Sequence, residues 1–568
     1  MGPVRAIVPL ALSCLVAAGC GGRATHAASV ITVANIVDAA APPSFVGRGS
    51  DRARRWTATR QFYQKRGNEP AWLNGRQPRP QMDDLIHTLQ QVDRDGLDPD
   101  LYDPVTLAER RADAGRGFLG RKGFDPDTAA SLDVWLTFLY LQYASDITNG
   151  VGNLSHIDSN WQIKPSRVDT AALLASAIEQ NRVSQSLEDL LPHDPQYLAL
   201  RETLARYRGI ASKGGWPSVP ERVRIKPGQR NAAVPALARR LAATADYTGA
   251  LDANARIYAG DLVEAVKRFQ RRHGLEPDGV FGADVASEMN VPVDRRIEEI
   301  RLNLERLRWL PRDLGDRHIL VNIPEYRLEV WDHGSVPLAM NVVVGKTDTP
   351  TPIFNDTMTY LVFAPYWNIP PDIAEKETLP NVMSDPGFLQ KTDLEVVDTS
   401  GHVVDPSTID LTKSGAYRFR QRPGASNSLG TVKFMFPNQF DVYLHDTPAE
   451  TLFARATRSF SHGCVRVEQP EALAEYVLSD QPEWTRDRID AARHGSEETV
   501  VRLKSTLPVY LGYWTARVTP DGLVQFRKDI YGIDERQTAM LAGMLRRIKA
   551  RTAQALAPAP GDARAQRR

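Results

Sequence analysis

Cysteine is almost missing from this chain. There are three in 568 residues, Cys14, Cys20 and Cys464. Two lie within the first twenty positions, so no disulfide framework can be built and Cys464 has no partner to pair with. Charge of one sign is also missing: the formal net charge is +1. That excludes a wholly basic surface for nucleic acid. Long hydrophobic runs are lacking as well. Residues 6–18 form an apolar stretch too short for a stable membrane anchor. Residues 134–141 are apolar all round but follow Asp133 and are shorter still, which suits the centre of a helical domain. A metal-binding pattern is not found either. His445, His462 and Cys464 are each possible zinc ligands, but His-x-Cys is an awkward pair and no fourth ligand suggests itself. No metal or cofactor is expected.

What is present starts with a targeting segment over residues 1–20. Small residues, Ala17-Ala18-Gly19, precede Cys20. This resembles a bacterial lipoprotein signal, in which Cys20 becomes the lipidated first residue; Ala17 also leaves plain cleavage open. The reading predicts a bacterial periplasmic protein held to a membrane by lipid, the outer membrane by family analogy rather than the inner. Residues 21–49, rich in small residues and carrying Pro42-Pro43, read as a flexible tether.

The length predicts about three domains. Residues 50–212 read as helical: Leu85, Leu89 and Val92 recur at helical spacing, and Trp56, Trp72 and Trp161 read as core. The run 93–98 looks faintly like a calcium loop but lacks the downstream glutamate, so a solvated turn is expected. Residues 227–293 form a second helical unit, with Val234, Leu237 and Leu241 on one face and Leu262, Val266 and Phe269 on another. Its Asp278-Gly279 is turn chemistry. An amphipathic linker helix, 298–309, follows. The period then changes to that of strands from about 317. A polar insertion broken by Pro380, Pro386 and Pro406 spans about 372–427. Strand character returns through residues 430–444, and the chain ends in a helix and a tail within 532–568.

The sharpest signal is Ser461-His462-Gly463-Cys464-Val465-Arg466. A cysteine needs a base or a cation nearby to act as a nucleophile at neutral pH. His445, at the end of the run 441–445, can be that neighbour. Backbone amides at Gly463 and Cys464 can hold an oxyanion. Arg466 offers a fork for a carboxylate or a positive charge beside sulfur; an internal ion pair with Asp446 or Glu468 is the plainer alternative.

A histidine followed by Ser-His-Gly-Cys-x-Arg resembles the catalytic signature of the L,D-transpeptidases, the YkuD-type domain, in its large multi-domain branch. The run 269–282 resembles a small three-helix peptidoglycan-binding module, and residues 50–212 the branch's scaffold domain. The resemblance implies a multi-domain α+β protein: helical scaffold, peptidoglycan-binding module, and a β-rich catalytic domain over 317–531 with a capping insertion. It implies Cys464 as nucleophile and His445 as base. It places Ser461, His462, Gly463 and Arg466 around the oxyanion and substrate, with Tyr443, Trp367 and Asn368 as weaker wall residues. The implied reaction joins peptidoglycan stem peptides, a tetrapeptide donor and a diamino-acid amine acceptor, in 3-3 cross-links through a cysteine acyl-enzyme. Hydrolysis by the same thiol and non-catalytic wall binding are the alternatives.

Overall fold

The computed structural model describes residues 32–47, 50–116, 123–151, 159, 161–385, 387–410 and 416–556. Cys20 and the targeting segment lie outside them. The chain is a multi-domain α+β protein that divides into two compact units. One comprises residues 1–153, 167–191 and 540–568; the other comprises residues 154–166 and 192–539.

The first unit is helical. Its central element, Pro126–Asn149, begins at Asp125, whose carboxylate accepts from the amides of Asp127 and Thr128, with proline in the first turn. The apolar run inside it is buried on every side. Asp133 immediately precedes that run, and its carboxylate accepts from the Tyr63 hydroxyl at 2.6 Å and from the amides of Ala71 and Trp72 at 2.9 and 2.8 Å. These bonds satisfy a buried carboxylate whose pKa burial pushes up. Leu85, Leu89 and Val92 are fully buried. Residues 93–95 complete a short 3-10 turn, Val92–Asp95, capped by Gly96 in the left-handed region.

The expected tether is shorter than 21–49. Residues 32–37 form a helix in which Val33 and Val37, one turn apart, are fully buried. Two elements of the 50–212 stretch make their contacts in the second unit. The helix Pro195–Ala211 belongs to the second unit, where Gln196 exchanges hydrogen bonds with the backbone of Val518 at 2.9 and 2.8 Å. Trp161 belongs there too: it bridges to Ile353 and stands edge-on to Trp309 at 4.9 Å. Amphipathic pattern announces a helix but does not say which core receives its apolar face.

In the second unit, helices Val234–Ala243, Asp261–Arg272 and Ala283–Asn290 pack the small module around Leu237, Leu241, Val266, Phe269 and Phe281. Gly279 has φ +72, and Gln270 clasps its turn, donating to Asp278 at 2.8 Å and accepting from the Gly279 amide at 2.9 Å. The linker helix runs Val293–Arg308, beginning earlier than the apolar pattern suggests.

Nine strands form the main sheet: β1 Arg317–Asn322, β2 Arg327–Asp332, β3 Ser335–Gly345, β4 Phe354–Phe363, β5 Val432–Met435, β6 Leu444–His445, β7 Ser459–Ser461, β8 Val465–Val467 and β9 Thr499–Gly512. Their order is β7-β3-β8-β6-β5-β4-β9-β1-β2, and a further β2–β3 pairing closes the ladder. Buried Val342, Val343, Val344, Leu361 and Phe363 fill its interior. Most neighbours are antiparallel. The β6–β8 pair is parallel, matching Leu444 with Val465 and His445 with Arg466.

The insertion is a subdomain with its own small core of Ile369, Val382, Val396 and Phe419. Strands Trp367–Asn368, Tyr417–Gln421 and Leu394–Asp398 form its sheet, and residues Ala374–Thr378 make one π-helical turn. At the other end of the chain the final helix spans Ile533–Leu556.

Candidate active site

The pleat sets the site. Side chains two residues apart on a strand share a face. In the parallel β6–β8 register this puts Tyr443, His445, Cys464 and Arg466 on one face, with Cys464 just before β8 and Tyr443 just before β6. The rings of Tyr443 and His445 lie 5.7 Å apart, and the Val465 amide donates to the Tyr443 carbonyl at 3.1 Å. Residues separated by some twenty positions in sequence thus meet side by side.

The thiol loop is pinned on both sides. Gly463 has φ +118, a conformation that favours glycine. Its carbonyl accepts from the Thr351 hydroxyl at 2.8 Å, while Thr351 also accepts from the Gly345 amide at 2.9 Å. The Ser461 hydroxyl donates to the Cys464 carbonyl at 2.5 Å and accepts from the Gly463 amide at 3.2 Å. That last bond corrects one expectation: the Gly463 amide is turned to Ser461 and is not free to hold an oxyanion. The Cys464 amide is the donor left for that task.

His445 is buried, and its Nδ1–H donates to the Asp446 carbonyl at 2.5 Å. Nε2 therefore carries the lone pair. The orienting group is main chain, and a carboxylate holds it in place. Asp446 accepts from the Thr431 amide and hydroxyl at 2.8 and 2.7 Å and from the Thr447 amide at 2.7 Å. Arg493 Nε in turn donates to Thr431 at 2.9 Å.

Burial, followed by the neighbouring Arg466 charge, pushes the imidazole pKa down to about 3. Burial pushes the thiol up to about 11, although hydrogen bonds from Tyr443 and the charge of Arg466 pull the other way. Both directions favour the uncharged forms, thiol and imidazole, over thiolate and imidazolium. The sulfur is partly accessible and lies 3.8 Å from the Asp441 carbonyl.

Arg466 forms no ion pair among the described residues, and its Nε is buried without a hydrogen-bond partner. The carboxylates proposed for it are engaged elsewhere: Asp446 as above, and Glu468 with the Asn341 amide and side chain at 2.9 and 3.2 Å. His462 Nε2 lies 2.8 Å from Glu377 Oε1 in the π-helical turn of the insertion. The insertion thus reaches the loop that carries the thiol.

Two residues read as wall candidates lie at the start of the insertion. Trp367 and Asn368 pair with Gln421 and Arg420 in the insertion's own sheet, and Trp367 packs on the insertion's core. They start the subdomain, which begins before residue 372. An aromatic residue in a strand pattern reads the same whichever sheet recruits it. Thr351, Glu377 and the Asp446–Thr431–Arg493 chain are not legible in sequence: each acts through long-range contacts with no local pattern. Among the described residues no group of three His, Cys, Asp or Glu side chains is arranged to hold a metal.

A cysteine just before one strand and a histidine on its neighbour, on one face of a closed mixed sheet, define a thiol–imidazole site in a β-rich domain. Comparison with known sequences names it. Residues 316–501 match the family model of the L,D-transpeptidase catalytic domain (YkuD). Residues 57–204 match the "Scaffold domain" and residues 230–289 the "Putative peptidoglycan binding domain". A "Putative L,D-transpeptidase" of Haemophilus influenzae is 36% identical over 242 residues, 42% of this chain and 48% of the relative. The chain thus spans about half the length of the curated relative it matches. Among solved structures, an L,D-transpeptidase from Mycobacterium smegmatis is 15% identical, covering 34% of this chain and 58% of that one, with a TM-score of 0.17. One from Xylanimonas cellulosilytica is 16% identical, covering 52% and 98%, with a TM-score of 0.16. Superposition at such scores places no residue of this chain on a residue of theirs.

Proposed function

We propose that this chain is a peptidoglycan L,D-transpeptidase that forms 3-3 cross-links through a cysteine acyl-enzyme. The observation that carries the reading is the shared face of Cys464, His445 and Arg466, with His445 turned by the Asp446 carbonyl. His445 Nε2 takes the thiol proton as sulfur attacks the carbonyl of the third stem residue. The Cys464 amide faces the developing oxyanion. Collapse expels the terminal D-alanine, whose nitrogen receives the proton from His445, and leaves a thioester. The amine of a second stem then attacks, gives a proton to His445, and frees the sulfur, which is reprotonated. Arg466 stabilises negative sulfur and can pair with a stem carboxylate. A periplasmic address, with lipid on Cys20, belongs to the same reading.

Mass spectrometry of wall peptides incubated with the native chain and with Cys464→Ala tests it. Cross-linked dimers from the native chain alone are expected. Trimmed monomers alone would mean that water is the acceptor, and dimers from Cys464→Ala would remove the nucleophile assignment.

A further inference from the structure

The Cys464 amide is one end of a peptide plane whose other end is the Gly463 carbonyl. Among the described residues no peptide bond is cis. A trans peptide holds its carbonyl and amide rigidly, pointing opposite ways. Whatever fixes the Gly463 carbonyl therefore fixes where the Cys464 amide points. The Thr351 hydroxyl does so, at 2.8 Å. Thr351 ends the loop that leaves β3, residues 346–351. That loop also holds the segment before the thiol: the Lys346 amide and the Thr349 hydroxyl both donate to the Ser461 carbonyl, at 2.9 and 3.2 Å.

The group that closes this loop comes from far along the chain, past the end of the matched catalytic region. The Tyr531 hydroxyl donates to the Gly345 carbonyl at 2.7 Å and accepts from the Thr351 amide at 3.2 Å. It thus ties both ends of the loop with one oxygen. The neck it ties is tight: a Cβ on Gly345 would strike the Thr349 carbonyl oxygen and meet the Thr351 amide at 2.7 Å.

Tyr531 is itself held. Its amide accepts no freedom, donating to the Tyr513 hydroxyl at 3.1 Å, and the two rings stack at 5.8 Å. The buried Tyr513 donates onward to the Asp529 carboxylate at 2.6 Å. Asp529 also accepts from the amides of Ile533 and Asp534, both at 2.8 Å, at the start of the last helix. Burial pushes the Tyr531 hydroxyl up to about 12, so it stays a neutral donor at the pH where a thiol works.

We propose that Tyr531 is a positioning residue for acyl transfer: through Thr351 and the Gly463 carbonyl it aims the Cys464 amide at the oxyanion that forms when sulfur attacks a carbonyl. The proposal rests on the acyl-transfer part of the transpeptidase reading. Two reactions of the same thiol test it in the full chain. With p-nitrophenyl acetate, sulfur bonds the carbonyl carbon, an oxyanion forms, the thiol proton goes to His445, and p-nitrophenolate leaves. With iodoacetamide, sulfur displaces iodide from a saturated carbon and no oxyanion forms. Tyr531→Phe should slow acylation by the ester about tenfold, because a misaimed oxyanion donor loses most of its effect. Alkylation by iodoacetamide and its pH profile should stay native. Tyr510→Phe, which removes a hydroxyl bonded to the Leu314 carbonyl at 3.4 Å, should leave both rates native. Circular dichroism checks folding, and Tyr513→Phe, which frees the Tyr531 amide, replaces Tyr531→Phe should the latter not fold. Native acylation in the variant tested, or equal slowing of both reactions, would overturn the proposal. Turnover of a stem tetrapeptide by the native chain is measured apart: its absence would remove the transpeptidase reading, while the ester and iodoacetamide rates would still decide the role of Tyr531.

Discussion

Removing the Arg466 charge tests the electrostatics of the thiol most directly. Cys464 and Arg466 are two residues apart on one strand face, about 7 Å at 3.3 Å per residue. Two unit charges at that distance interact by about 2 kcal/mol at an effective dielectric constant near 20. Both groups are only partly buried, so solvent screening reduces this to roughly half, or about one pKa unit. Arg466 favours the thiolate, so Arg466→Ala should raise a thiol pKa that already stands at about 11. At pH 8 the thiolate population would fall about tenfold. A more basic sulfur is a better nucleophile, with a Brønsted slope of about 0.4–0.5, so alkylation by iodoacetamide should slow by only about threefold. Arg466→Lys keeps the charge and should alkylate at nearly the native rate, yet turn over stem peptides less well because the planar fork is gone. An unshifted rate–pH profile in Arg466→Ala would refute the electrostatic role, and native turnover in Arg466→Lys would refute the clamp.

Thr351→Val removes the hydroxyl that joins Gly345 to Gly463; a loss of about 1–3 kcal/mol in urea denaturation is expected, with slower acylation of Cys464, and native values of both would show that the bridge is dispensable. Burial holds the folded His445 pKa near 3, against about 6.5 in the unfolded chain. The unfolded state therefore binds the extra proton, and stability present above pH 6.5 should be lost as pH falls from 6.5 toward 3, by up to about 1.4 kcal/mol per pH unit. His445→Gln should flatten that slope, and equal slopes in the two proteins would show that this histidine is not its source. Activity should survive chelation, with no stoichiometric zinc by elemental analysis; loss restored by zinc would move the assignment to a metal site.

The sequence and the structure agree best where chemistry is local. Cys464, Gly463 and Arg466 lie within four residues, so their order alone announces a reactive loop. His445 is legible because a strand-end histidine upstream is a natural partner for that loop. The register that joins them is not legible: nothing in a two-residue strand says that it pairs in parallel with the residues after the thiol. Helical periodicity found Leu85 and Leu89, and Phe269 as well. The same signal could not say that the helix Pro195–Ala211 packs with the second unit. Trp367 shows a further limit. Its strand character was visible, but pairing with Gln421 depends on a partner more than fifty residues away. The Gly463 amide illustrates the same point at atomic scale, since its bond to Ser461 follows from the turn and not from the residue type.

The group that turns His445 is a main-chain carbonyl. Every amino acid at position 446 would still carry one, so no point mutation can delete the third member of this arrangement outright. What mutation can change is where that carbonyl points. Its aim depends on a carboxylate, a threonine hydroxyl and Arg493 on a distant helix. The vulnerability of the site is thereby displaced from the catalytic strands to residues that touch neither sulfur nor imidazole. A screen for loss of function should therefore recover substitutions at Thr431 and Arg493 as well as at Cys464 and His445.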